Sequence, residues 1–211
     1  MIAHCCNRAG FNAATLEAPY HFHRQPRNGA GSHPDYLRTA EAAAQAIAEI
    51  RALTGWLLRE GCPAVALWGV SMGGWHAGLT VCHDSRLTAV VMTLPAVRSN
   101  PSTSERILWS GIRAQWRAEH EAEQRLDTSP FNLTTARPVI PRNNILLIEG
   151  IHDLVSPKEH IEELWRMWGQ PDIWRLPHGH HSFMIQPGLT RRVLRWLAPR
   201  LNIIAHQRGN H

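Results

Sequence analysis

A chain of 211 residues has room for one domain with a sizeable core and little room for two. Hydrophobic residues make up 44% and charged residues 18%, which argues against global disorder, and no apolar run nears the roughly 18 residues a membrane span needs. The net charge of +5 is spread among scattered arginines, with Lys158 the only lysine, so nucleic acid is not expected as a partner.

The chain opens on what reads as the end of a helix at residues 1–8, followed by a strand at 11–17 that stops at Ala18-Pro19. Residues 38–60 form the longest predicted helix. Ile47, Ile50, Leu53, Leu57 and Leu58 recur at helical spacing, and Gly61 ends the run. A buried strand at 63–69 leads into a helix from Met72 to about His83. Strands follow at 87–94, 144–149 and 173–176, with helices at 157–169 and 188–197. Pro157 suits a first helical turn and Gly169 a helix stop. Strands that alternate with helices imply a mostly parallel sheet with helices on both faces, an α/β architecture in one domain.

Residues 95–143 are too long for a simple connection. They read as an insertion at about 96–143, a cap or lid with one or two helices around Trp109 and Trp116 and a proline-rich second half.

Gly69-Val70-Ser71-Met72-Gly73 matches Gly-x-Ser-x-Gly, with Gly74 behind it, between a β-rich run and a helical one. That is the strand–turn–helix setting of a nucleophile elbow. Small neighbours let strand and helix approach, the Ser71 hydroxyl projects at the carboxyl end of the sheet, and the Met72 N–H can stabilise an oxyanion there. A serine hydroxyl needs a base, and the base needs an orienting acid, expected in the order Ser, acid, His. Asp153 is the aspartate that directly follows a core strand, with Gly150 allowing the turn, and Glu149 is held in reserve. The base is expected in Pro177-His178-Gly179-His180-His181-Ser182, after the last strand. Gly179 favours His180, with His181 second and His178 third. His76, five residues past Ser71, is expected to pack on the elbow helix instead.

A metal site is the weaker alternative. His21-x-His23 and His178-x-His180-His181 could supply imidazoles, but no His-Glu-x-x-His is present and carboxylates are sparse around both clusters. No Gly-x-Gly-x-x-Gly follows the first strand, so a dinucleotide is not expected either. The cysteines, Cys5, Cys6, Cys62 and Cys82, include no Cys-x-x-Cys pair and read as reduced. With no signal peptide or transmembrane segment discerned, the expected location is cytoplasmic.

The elbow at 69–74, the post-strand 150–153 and the late Gly179-His180 together resemble the α/β-hydrolase superfamily. Leu16-Glu17-Ala18-Pro19-Tyr20-His21 with Arg24 and Pro26, the elbow, and Gly179-His180 with Ser182 are similar to the branch of α/β-hydrolase domain-containing protein 18 and its bacterial relatives. The resemblance implies a serine hydrolase acting on a carboxylic ester or related acyl bond of a small-molecule substrate without a cofactor, with Tyr20 and His21 as pocket lining. It also implies a chain that starts late. An interior strand and the second oxyanion donor would normally precede Met1, so the first strands are expected to be absent, 11–17 to pair with 64–69 or stand beside a gap, and activity to be weak unless extended upstream. The rival expectations are a non-catalytic α/β-hydrolase-like binding protein and, behind it, a metal-dependent hydrolase built on the histidine clusters.

Overall fold

The computed structural model describes residues 2–25, 36–98 and 129–201. Strands β1 (Ala66–Val70), β2 (Ala89–Thr93), β3 (Ile145–Gly150) and β4 (Asp172–Leu176) lie in the order β1-β2-β3-β4, all parallel. The register runs Val70 beside Thr93 and Thr93 beside Ile148, so β1 and β2 end level and β3 runs two residues further, to Gly150. Each strand is reached from its predecessor by a crossover, as a parallel pair requires.

The apolar runs of β2 and β3 are buried at every position, which fits strands covered on both faces. Alternate residues feed two cores. Val90, Met92, Ile145 and Leu147 pack with the helices α2 (Tyr36–Arg59), α3 (Met72–Val81) and α4 (Lys158–Met167). Val91, Leu146 and Ile148 pack with α1 (Ile2–Arg8) and α5 (Leu189–Leu197). Gly61 and Gly169, at φ +89° and +76°, take the left-handed conformation that stops α2 and α4. Among the described residues no helix is long and apolar enough to cross a membrane.

Residues 11–17 depart from the expected strand. They are not hydrogen-bonded into the sheet, and 12–16 are exposed. The segment is anchored only at its ends. Phe11 is buried and donates its N–H to the Cys6 carbonyl, while Arg24 donates to the Glu17 carbonyl at 2.8 Å and forks onto the Glu49 carboxylate of α2 at 2.7 Å. A strand is a paired structure, and Asn12-Ala13-Ala14 has weak β propensity of its own, so without a neighbouring ladder the backbone stays with solvent.

The centre of the expected insertion, with Trp109 and Trp116, lies outside the described residues. Within the described residues 129–143, part of the segment packs into the core. Leu133 is fully buried, and the indole N–H groups of Trp75 and Trp168 donate to the carbonyls of Phe131 and Leu133.

Candidate active site

Ser71 directly follows β1 and caps α3 with φ 53° and ψ −118°, a conformation that costs a non-glycine residue of order 1–3 kcal/mol. Its N–H donates to the Thr93 carbonyl of β2 at 2.9 Å, and the first turn of α3 closes on its carbonyl through the Trp75 N–H. The turn is tight because of two glycines. A Cβ on Gly69 would lie 2.0 Å from the Gly73 carbonyl oxygen, and one on Gly74 would lie 3.2 Å from Pro95. Gly73 is different: a Cβ there would meet nothing within 4 Å, so the third glycine of the motif is not required by space.

Gly150 turns the chain off β3. A Cβ there would lie 2.6 Å from the His178 carbonyl, so the acid-bearing and histidine-bearing loops touch backbone to backbone at this point. The His152 N–H donates to the same His178 carbonyl at 3.2 Å. Asp153 then folds inward until its side chain is wholly buried. Its Oδ1 accepts the N–H groups of Val155 and Ser156, both at 2.8 Å, and its Oδ2 lies 2.8 Å from His180 Nδ1. Carboxylate oxygens accept, so Nδ1 is the protonated ring nitrogen. That leaves Nε2, 2.9 Å from Ser71 Oγ, to accept from the hydroxyl.

The structure therefore brings Ser71, Asp153 and His180 into one hydrogen-bonded relay. His181 is exposed and meets the His180 ring edge-on at 5.4 Å, and His178 is half-buried outside the relay. Glu149, the reserve acid, is turned towards Glu162 and Arg175 instead; burial, with the Glu162 charge beside it, pushes its carboxyl up to about 7. His76 is buried beside Trp75, and burial lowers its imidazole to about 4, with nearby His21 adding to the effect.

Tyr20 and His21 sit in a strained bend, with φ 63° at Tyr20 and 44° at Phe22. The Tyr20 hydroxyl donates to Glu41 on α2 at 3.0 Å, His21 Nδ1 lies 2.8 Å from the Pro19 carbonyl, and the His21 N–H is taken by Ala18 at 3.2 Å. The Met72 N–H, first in its helix, has no intrahelical acceptor. Among the described residues no three His, Cys, Asp or Glu side chains gather to hold a metal ion.

Sequence reasoning passed over Ser156 and Leu94. Ser156 donates its hydroxyl to the Leu94 carbonyl at 3.1 Å, and Leu94 has φ 47°. The available signals were a polar residue between Asp153 and Pro157 and a Leu-Pro step after a wholly apolar strand.

Residues 6–139 match the family described as alpha/beta hydrolase domain containing 18. Two uncharacterized proteins of Mycobacterium tuberculosis are 28% identical over 183 residues, an alignment that covers 82% of this chain and 43% of theirs. The chain thus spans less than half the length of these curated relatives. Among solved structures, the monoacylglycerol lipase of Paleococcus ferrophilus superposes with a TM-score of 0.64 at 16% identity, over 94% of this chain and 88% of the lipase. An esterase of Pyrococcus furiosus gives 0.52 at 16% identity, over 72% and 60%, and an acetyl xylan esterase from Paenibacillus sp. R4 gives 0.52 at 20%, over 72% and 51%. These likenesses show a shared fold, and the family match covers more than half of the sequence: the chain belongs to the alpha/beta hydrolase domain containing 18 family and has an α/β-hydrolase fold.

Proposed function

We propose that the chain is a serine hydrolase that cleaves a carboxylic ester or related acyl bond of a small molecule, without a cofactor, through an acyl-enzyme. The observation that carries this reading is the relay from buried Asp153 through His180 to Ser71 Oγ, with both links under 3 Å. Ser71 attacks the acyl carbonyl while His180 Nε2 takes its proton. Asp153 holds the imidazole and stabilises its charged form. The Met72 N–H receives the developing oxyanion. His180 returns the proton to the leaving group, then activates the water that releases the acid. Tyr20 and His21 are offered as pocket lining, and the insertion at 96–143 as a cap. The His21 N–H, engaged by Ala18, does not serve as the second oxyanion donor. If the Met72 N–H acts alone, the loss of one preorganised donor costs about 10²–10³ in rate and turnover is low. Four free thiols support work in a reducing compartment such as the cytoplasm.

The engaged His21 amide, with an outer edge of β1 that pairs with no strand among the described residues, favours a second reading: a binding protein that keeps the relay but does not turn over. Hydrolysis of 4-nitrophenyl acetate separates the two. The first reading expects turnover that falls by about 10³–10⁶ in Ser71→Ala. No turnover above buffer supports the second, and equal turnover in that variant removes Ser71 as the nucleophile and overturns the first.

A further inference from the structure

Resting on that reading, we propose that Ser156 is a positioning residue for the reaction: its hydroxyl, bonded to the Leu94 carbonyl, ties the loop that carries Asp153 to the turn that holds Ser71. Asp153 and Ser71 lie on segments that leave different strands, β3 and β1, and neither touches the other directly through the sheet because β2 lies between. Something must set the spacing of the two loops to within the reach of one imidazole. Catalytic geometry is sensitive at that scale.

Ser156 is built for this at both of its polar ends. Its N–H donates to Asp153 Oδ1 at 2.8 Å, which, with the Val155 N–H, fixes the plane of the carboxylate. Its Oγ donates across to the Leu94 carbonyl, 62 residues away in sequence, at 3.1 Å. Ser156 is 5% exposed and Leu94 is 0% exposed, so water does not compete for this bond. Leu94 is where the spacing is decided. It follows β2 with φ 47°, a left-handed conformation that a leucine rarely adopts. Its N–H is held by the Ile148 carbonyl of β3 at 2.8 Å, which leaves its carbonyl to the Ser156 hydroxyl.

From Leu94 the connection to the elbow is short. Pro95 packs 3.2 Å from where a Cβ of Gly74 would be, and the Ala96 N–H reaches the Ser71 carbonyl at 3.4 Å. The line runs from Asp153 to Ser156, to the Leu94 carbonyl, to Pro95 and Ala96, and to the backbone of Ser71 and Gly74. Without the hydroxyl, the left-handed turn at Leu94 loses the partner that holds its carbonyl, and the acid loop loses its tie to the elbow.

The test uses the whole chain with 4-nitrophenyl acetate and a fluorophosphonate probe. In Ser156→Ala, kcat and the labelling rate are expected to fall together by about tenfold, with KM close to the parent's, because geometry rather than ground-state binding is lost. Ser156→Thr keeps the hydroxyl and restores kcat. Ser156→Cys keeps the volume with a weak donor, shows the loss, and carries the test if the alanine variant does not fold. Ile145→Val, a core substitution at the amino end of β3, opposite the end from which the acid loop leaves, controls for a general loss of stability and leaves kcat unchanged. Labelling that depends on Ser71, together with undiminished kcat in Ser156→Ala and Ser156→Cys, overturns this proposal alone. So does a loss that Ser156→Thr fails to restore. A parent protein that shows no Ser71-dependent labelling overturns the serine-hydrolase reading, and this one with it.

Discussion

His180 Nε2 lies 2.9 Å from Ser71 Oγ although 109 residues separate the two in sequence. The neighbouring His181 is exposed, its ring perpendicular to that of His180 with the centroids 5.4 Å apart. The first prediction follows from that difference. In His180→Ala, ester hydrolysis falls by about 10³–10⁶, whereas His181→Ala stays close to the parent. A reversed order would move the base to His181 within the same loop.

The elbow glycines are not equivalent. A Cβ at Gly69 would sit 2.0 Å from a backbone oxygen, and backbone cannot swing aside. Gly69→Ala is expected to cost about 4 kcal/mol or more, a large share of the roughly 5–15 kcal/mol by which a domain is stable. At Gly73 the same methyl meets nothing and lies in a helix, so Gly73→Ala is neutral or gains up to about 1 kcal/mol. Thermal melts of the two variants check both statements.

Two buried groups give the stability of the protein a pH dependence of known sign. Glu149 is 1% exposed, its Oε2 has no hydrogen-bond partner, and burial pushes its carboxyl up from 4.5 to about 7. The folded protein therefore holds this proton more tightly than the unfolded chain, so stability is lost as pH rises from about 4.5 to about 7 and stays lost above. His76 acts oppositely. Its imidazole is lowered by burial from 6.5 to about 4, so stability is lost as pH falls through that window. Glu149→Gln is expected to raise the melting temperature by several degrees at pH 8, a gain on the order of 3 kcal/mol at most, and to change little at pH 4. It also leaves the His76 slope exposed, with stability rising from pH 4 to 6.5. An equal shift at every pH would contradict this assignment.

The proposed chemistry needs no metal. Ester hydrolysis is expected to survive exhaustive dialysis against EDTA. Loss on chelation, restored by zinc, would return attention to the histidine clusters around His21 and His180.

Much of the architecture was legible because its signals are local. The apolar strands at 89–93 and 145–150 are bounded by turn residues, and α2, α3, α4 and α5 each lie within a predicted helical stretch, give or take two residues. Ser71 was legible from the glycines around it, of which Gly69 and Gly74 are required by the close approach of strand and helix. The relay partners were legible from order: Asp153 and His180 each follow a strand. What stayed hidden depends on contacts between distant segments. Residues 11–17 read as a strand by pattern, but pairing needs a neighbour that pattern cannot supply. The left-handed turn at Leu94 and its bond to Ser156 arise only when β2 and the acid loop are brought together, and neither residue type announces it. The direction of Glu149, towards Glu162 rather than His180, was equally invisible, because a strand end can face either core.

In the proposed mechanism His180 and Asp153 make Ser71 a nucleophile. Its most direct test is intact-protein mass spectrometry after exposure to a fluorophosphonate, followed by peptide mapping. One covalent adduct is expected, located on Ser71, absent in Ser71→Ala and strongly slowed in His180→Ala. A parent protein that stays unmodified, or an adduct that persists unchanged in Ser71→Ala, would contradict it.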